Sequence, residues 1–167
     1  PMGETIEYTD DFLFKPMDSL IGYTVNIKSA SLMTSQDYME KYGIKQEDLP
    51  LPEYEVASYV IDLEVEFSNI NSENPINPST YTLLSDLSSL VIEQNLFGAL
   101  YEQPQIIQGI SLEKGETKTY HLPYCYNGSE NIPFFDVYDY LKNSDYLYVL
   151  SQYPTERYIT VTVKDET

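Results

Sequence analysis

The chain has no tryptophan, one cysteine (Cys125) and one histidine (His121) in 167 residues. A lone cysteine excludes a disulfide framework and any cysteine-based zinc site. A lone histidine leaves little for nucleophilic catalysis, which needs a nucleophile, a base and an orienting group together, and no Gly-x-Ser-x-Gly elbow occurs. Strand alternation puts His121 outward between Tyr120 and Leu122, as a surface residue. Cys125 lies between Tyr124 and Tyr126 with no basic neighbour to lower its pKa. It reads as a small core or edge residue, and a pairing with His121 across a turn is the remote alternative. No apolar run approaches the roughly 18 residues that a bilayer span needs. Basic residues are also scarce: nine against 27 acids, for a net charge of -18. All nine lie outside Gln46–Glu113, a stretch with twelve carboxylates. Such a surface repels phosphate backbones and anionic lipid heads, which argues against nucleic acid and membrane surfaces as partners. Solubility is the plain consequence; attraction for cations or a basic partner is the sharper one.

Hydrophobic residues make up 42% of the chain, enough for one core. In Tyr59–Phe67 every odd position is large and apolar (Tyr59, Ile61, Leu63, Val65, Phe67), while Asp62, Glu64 and Glu66 alternate with them. Period two predicts a strand with one face buried and an acidic face in water, in an antiparallel sheet. Tyr23, Val25 and Ile27 predict a second strand of this kind, with Thr24, Asn26 and Lys28 outward. Ser35 as N-cap and Gly43 at the end predict a short helix between them, and Leu49-Pro50-Leu51-Pro52 stops it. Residues 33–53 therefore read as an insert.

Asn, Ser and Pro over 68–78 predict a long turn. Residues 80–97 fit a helical stripe or a buried strand, and strand in part is the preferred reading. Ile106–Tyr124 predicts a hairpin around Glu113-Lys114-Gly115-Glu116. Residues 134–142 predict a short helix, and Tyr146–Leu150 and Tyr158–Val163 the last strands. Six to eight strands predict a mainly β chain: an antiparallel immunoglobulin-like β-sandwich with one or two short helical inserts, or else a jelly roll or open barrel. One domain is expected over 1–167, with 1–20 as a lead-in segment.

Three segments carry a resemblance. Tyr59–Asn69 looks like a Tyr-x-Val-x-Val-x-Val strand ending in an asparagine turn. Leu112–Thr117 resembles a leucine-acid-glycine-glutamate-threonine turn, and Tyr158–Val163 a closing strand. Together they resemble the immunoglobulin-like domain of unknown function found in Gram-positive secreted lipoproteins. The resemblance implies an exported, extracellular or cell-surface module, anchored through lipid, without catalytic residues or a cofactor. Pro1-Met2-Gly3 does not read as a natural start, so a signal segment ahead of it is expected.

Carboxylate pairs at Asp10/Asp11, Glu113/Glu116 and Asp136/Asp139 are the candidates for calcium, though no Asp-x-Asp-x-Asp-Gly loop organises them. Asn127-Gly128-Ser129 matches a glycosylation sequon in a turn, without meaning in a bacterial protein. Nine of the seventeen tyrosines lie beyond residue 119. Packing and β propensity account for many of them. The sharper expectation is a ligand surface of Tyr138, Asp139, Tyr140, Tyr146 and Tyr148 for a protein, peptide or glycan. A carbohydrate-binding module is the alternative function. A hydrolase with two carboxylates roughly 5–9 Å apart in a cleft is the remote one.

Overall fold

A computed structural model describes residues 1–9, 21–76, 82–102, 111–151 and 156–167. In chain order the strands are β1 (Ile6–Glu7), β2 (Tyr23–Thr34), β3 (Tyr59–Asn69), β4 (Thr82–Leu84), β5 (Ser89–Ile92), β6 (Thr117–Cys125), β7 (Tyr146–Ser151), β8 (Arg157–Val161) and β9 (Lys164–Asp165). The helices are α1 (Ser35–Tyr42), α2 (Gln94–Tyr101) and α3 (Val137–Asn143), with a 3-10 turn at Gln46–Asp48. The strand order is β1-β2-β3-β6-β5-β4-β7-β8. Every neighbouring pair is antiparallel, and β9 returns to pair parallel with β2. The chain is mainly β, and this path is a curled half-barrel, nearer the open-barrel expectation than two facing sheets.

The inner face holds the main core. Tyr23, Val25 and Ile27 point into it from β2, and Ile61, Leu63, Val65 and Phe67 from β3. Leu122 and Tyr124 of β6, Tyr146, Tyr148 and Leu150 of β7, and Ile159 and Val161 of β8 complete it. A bulge between Ile27 and Ser29 resets the alternation in β2, so Ala30 and Leu32 are the inward residues afterwards. A smaller core lies on the opposite face. It joins Met33, Val60 and Cys125 to Tyr38 of α1, Leu49 and Leu96 of α2.

The helix after β2 forms as its caps dictate, one residue earlier than expected. The Thr34 side chain accepts from the Asp37 amide at 3.0 Å, and Gly43 closes α1 at φ 66°. The asparagine turn after β3 is fully bonded. Buried Asn69 donates through Nδ2 to Ser72 and Leu112 carbonyls, at 2.9 and 2.8 Å, and accepts from the Ser72 amide at 2.7 Å. The Leu112–Thr117 turn docks on it through Gly115 N–H to Asn69 O at 2.7 Å.

Of the predicted hairpin, residues 111–112 carry no strand, and β6 pairs with β3 and β5. Its 106–110 limb lies outside the described residues, as do Phe12 and Phe14 of the lead-in segment. The preferred reading of 80–97 as strand in part holds: β4 and β5 form with a turn between them, and α2 follows at 94–101. Residues 33–34 belong to β2, so the insert starts at α1.

Candidate functional site

The outward face of β3 was expected to be wet, but its first half is not. Val60 is fully buried and Asp62 is only 3% exposed, because α1 packs across them. Three donors reach the Asp62 carboxylate. Lys41 Nζ is 2.9 Å from Oδ2, the Tyr42 hydroxyl 2.5 Å from Oδ2, and His121 Nδ1 3.2 Å from Oδ1. His121 reaches Asp62 diagonally across the strand pair, for its register partner is Glu64 and that of Asp62 is Pro123. Its Nδ1 also lies 2.7 Å from the Tyr42 oxygen. The single Tyr42 proton goes to the carboxylate, so Nδ1 must carry the hydrogen and donate to both oxygens.

Burial pushes Asp62 toward protonation, but the hydrogen bonds from His121, Tyr42 and Lys41 outweigh it and hold its pKa below the ordinary value. Burial, then the hydrogen bond to Asp62, raises Tyr42. Two further tyrosines close the cluster around the β6 backbone. Tyr38 donates to the His121 carbonyl at 3.1 Å, and Tyr101 accepts from the His121 amide at 2.6 Å. Burial pushes Tyr101 up to about 12. The Tyr42 ring lies tilted against those of Tyr38 and His121, with centroids 4.7 and 4.9 Å away.

An Asp–His pair of this kind resembles half of a triad. Among the described residues, every hydrogen bond to the His121 ring is made by Nδ1, to Tyr42 and Asp62, and no hydroxyl or thiol is bonded to Nε2. Cys125 is buried in the smaller core, and burial, reinforced by Glu93 and Glu130, pushes its thiol up to about 12. It is a neutral thiol at physiological pH. The cluster is chemically a clamp: it fixes α1, β3 and β6 through one buried carboxylate.

The open surface lies beside this clamp, along the irregular segment 51–58. Asn95 of α2, 3% exposed, grips the Leu51 backbone by both amide and carbonyl, at 2.9 and 3.0 Å. At the other end the Glu130 carboxylate accepts from the Ser58 amide at 3.1 Å, and the Ser58 carbonyl accepts from the Ser35 amide at 3.0 Å. Two open depressions share Val91, Glu93 and Cys125 in their lining. One is bordered by Leu51, Glu53 and Tyr54, the other by Glu55 and the 126–131 turn. The second has a volume of about 880 Å³.

The sequence-predicted surface divides. Tyr146 and Tyr148 are 1% and 0% exposed, core residues of β7, and so contribute nothing to an exposed face. Tyr138, Asp139 and Tyr140 are on α3. Tyr138 donates to Asp165 at 2.8 Å and accepts from Lys142 at 3.1 Å, tethering the chain end rather than standing open. Tyr140 bonds Ser88 at 3.1 Å and packs with Tyr126 and Phe135. Of the calcium candidates, Asp10 and Asp11 lie outside the described residues, Glu116 caps the Glu113 amide at 2.8 Å and Asp136 caps α3. Among the described residues no three His, Cys, Asp or Glu side chains converge. The reading of His121 as a plain surface residue is corrected: it is only 29% exposed and bonded to Asp62. The clue was in the sequence. Tyr59-Val60-Ile61 and Leu122-Pro123-Tyr124-Cys125 are apolar at both parities, which requires a cover on both faces of the sheet there.

Neither a curated protein nor a solved structure matches the chain. A family model does, over residues 1–157, and by that match the chain belongs to the family described as domain of unknown function DUF5028.

Proposed function

We propose that this chain is a non-catalytic binding module of the bacterial cell envelope, carried outside the cytoplasmic membrane as part of a Gram-positive lipoprotein. The observation that carries the binding reading is the groove along 51–58. It is pinned at both ends and shaped before any partner arrives, which lowers the ordering cost of association. Exposed apolar side chains stand in it among carboxylates: Leu51 is 36%, Tyr54 64% and Val91 38% exposed. The polar cluster at Asp62 supports the same reading, because its members satisfy one another instead of facing a cleft. Address and anchoring rest on the resemblance of Tyr59–Asn69, Leu112–Thr117 and Tyr158–Val163, as does the immunoglobulin-like subclass of the sheet. Of the alternatives, a glycan platform loses two of its five residues to the core.

The test uses the natural full-length protein in intact cells, with a photo-cross-linking residue placed in turn at the exposed positions Tyr54, Leu87 and Tyr158. Protease added outside the cells removes the protein, and at least one position yields a discrete adduct. Protection from the protease together with no adduct at any position contradicts the proposal.

A further inference from the structure

We propose that the groove along residues 51–58 docks an extended, lysine- or arginine-bearing segment of a partner protein, with an apolar side chain of that segment seated between Leu51, Tyr54 and Val91. The inference rests on the binding-module reading above and names the partner's chemistry. Three observations point to it. Glu53, Glu55, Glu93 and Glu130 border the two depressions, and no lysine or arginine lines either of them. None of the four carboxylates has an ion pair among the described residues, whereas Asp62, Glu66, Glu73 and Asp165 each have one. The surrounding stretch, 46–113, has no basic residue at all, so no side chain of its own supplies the missing charge.

Glu93 makes the point most clearly. It caps α2 through the Leu96 amide at 2.7 Å and lines both depressions. Burial raises its pKa, and no cation offsets that burial. A partner ammonium or guanidinium arriving there meets a partly desolvated carboxylate, where charge pairing is stronger than on an open surface. The apolar side chains supply the rest. An isolated exposed leucine is ordinary, but Leu51, Tyr54 and Val91 line one depression together. Tyrosine anchors flanked by charge are the usual centre of such contacts. An anionic strand or a phosphate-bearing polymer is repelled by the same surface.

The experiment is fluorescence anisotropy of a labelled short peptide of alternating lysine and leucine against the whole chain. Saturable binding is expected, weakened by salt. Glu53→Lys with Glu55→Lys is expected to weaken it at least about tenfold, and Tyr54→Ala several-fold. Both variants change exposed side chains and leave the fold intact by circular dichroism. Glu4→Lys with Glu7→Lys alters net charge equally at and just before β1, far along the sheet order from the groove, and is expected to change affinity less than about twofold. A lysine–serine peptide of the same charge is expected to bind at least about tenfold more weakly. Equal losses in the groove and β1 variants, or equal binding of the two peptides, overturn the groove assignment and leave general charge attraction. No binding of the lysine–leucine peptide overturns it too. An adduct at Leu87 or Tyr158 in cells then separates a wrong groove from a wrong module.

Discussion

Replacing Asp62 by alanine tests the packing account most sharply. Three donors converge on this carboxylate, which is 3% exposed. A hydrogen bond to a charged group contributes about 1.5–3 kcal/mol, and removing one partner from a buried ion pair costs about 3–5 kcal/mol. Lys41 is 43% exposed and returns to water, so its share falls toward the 0–1 kcal/mol of a surface pair. The half-buried Tyr42 hydroxyl loses its acceptor, and the His121 Nδ1–H keeps only the Tyr42 oxygen. The expected loss is therefore about 3 kcal/mol out of a typical total of about 5–15 kcal/mol. With a urea dependence of about 1–3 kcal/mol per molar, the midpoint falls by about 1–3 M. In a double-mutant cycle, Tyr42→Phe shares about 1 kcal/mol of that loss with Asp62→Ala. The sign with pH is also fixed. The folded-state pKa of Asp62 lies below its unfolded value. Its stabilisation is full above the unfolded value and disappears as pH falls through the folded one. The gap between wild type and Asp62→Ala thus holds from neutral pH to about pH 4 and closes below it. A loss under about 0.5 kcal/mol at pH 7, the size of an ordinary surface substitution, refutes the clamp.

Other expectations follow from single residues. Burial raises the pKa of Glu93, so its ionisation favours the unfolded chain: stability is full below the unfolded value and is lost as pH rises through the folded one. Glu93→Gln keeps a capping oxygen, and its melting temperature relative to wild type rises as pH is taken from 4 to 7; a constant or falling difference contradicts this. Cys125, with its thiol pushed up to about 12, reacts with a disulfide reagent at pH 8 at least about a hundredfold more slowly when folded than in urea. Labelling within the mixing time contradicts its burial. Gly22 has φ 92°, and a Cβ there meets the Ser72 amide nitrogen at 2.9 Å. Gly22→Ala therefore costs about 2 kcal/mol or more by urea unfolding, and a neutral result contradicts the turn geometry.

Much of the fold is local in origin and so was legible in the sequence. β3, β8, α1 and α3 follow from period two, from caps and from glycine, and the mainly β antiparallel class follows from them. β6 finds its partner β3 far along the chain, a pairing that no short-range turn signal encodes. The bulge at Lys28 shifted the inward set of β2 by one residue, beyond what simple alternation anticipates. The polar clamp was missed for the same reason. Asp62 and His121 each look wet in their own strand, and only α1, folding back over β3, buries them together. Tyr146 and Tyr148 alternate with Leu147, and because that residue is also apolar, sequence did not say which parity faces the core. The groove was legible only as a charge imbalance over 46–113. Its walls come from segments near residues 51, 91 and 130, which meet only in the fold.

Amide chemical-shift mapping localises the binding surface that the 51–58 groove is proposed to form. A nitrogen-15-labelled chain titrated with the lysine–leucine peptide is expected to show progressive shifts confined to residues 53–58, 91–95 and 125–131. Shifts centred on α3 and β7, or spread evenly over the acidic surface, contradict the account.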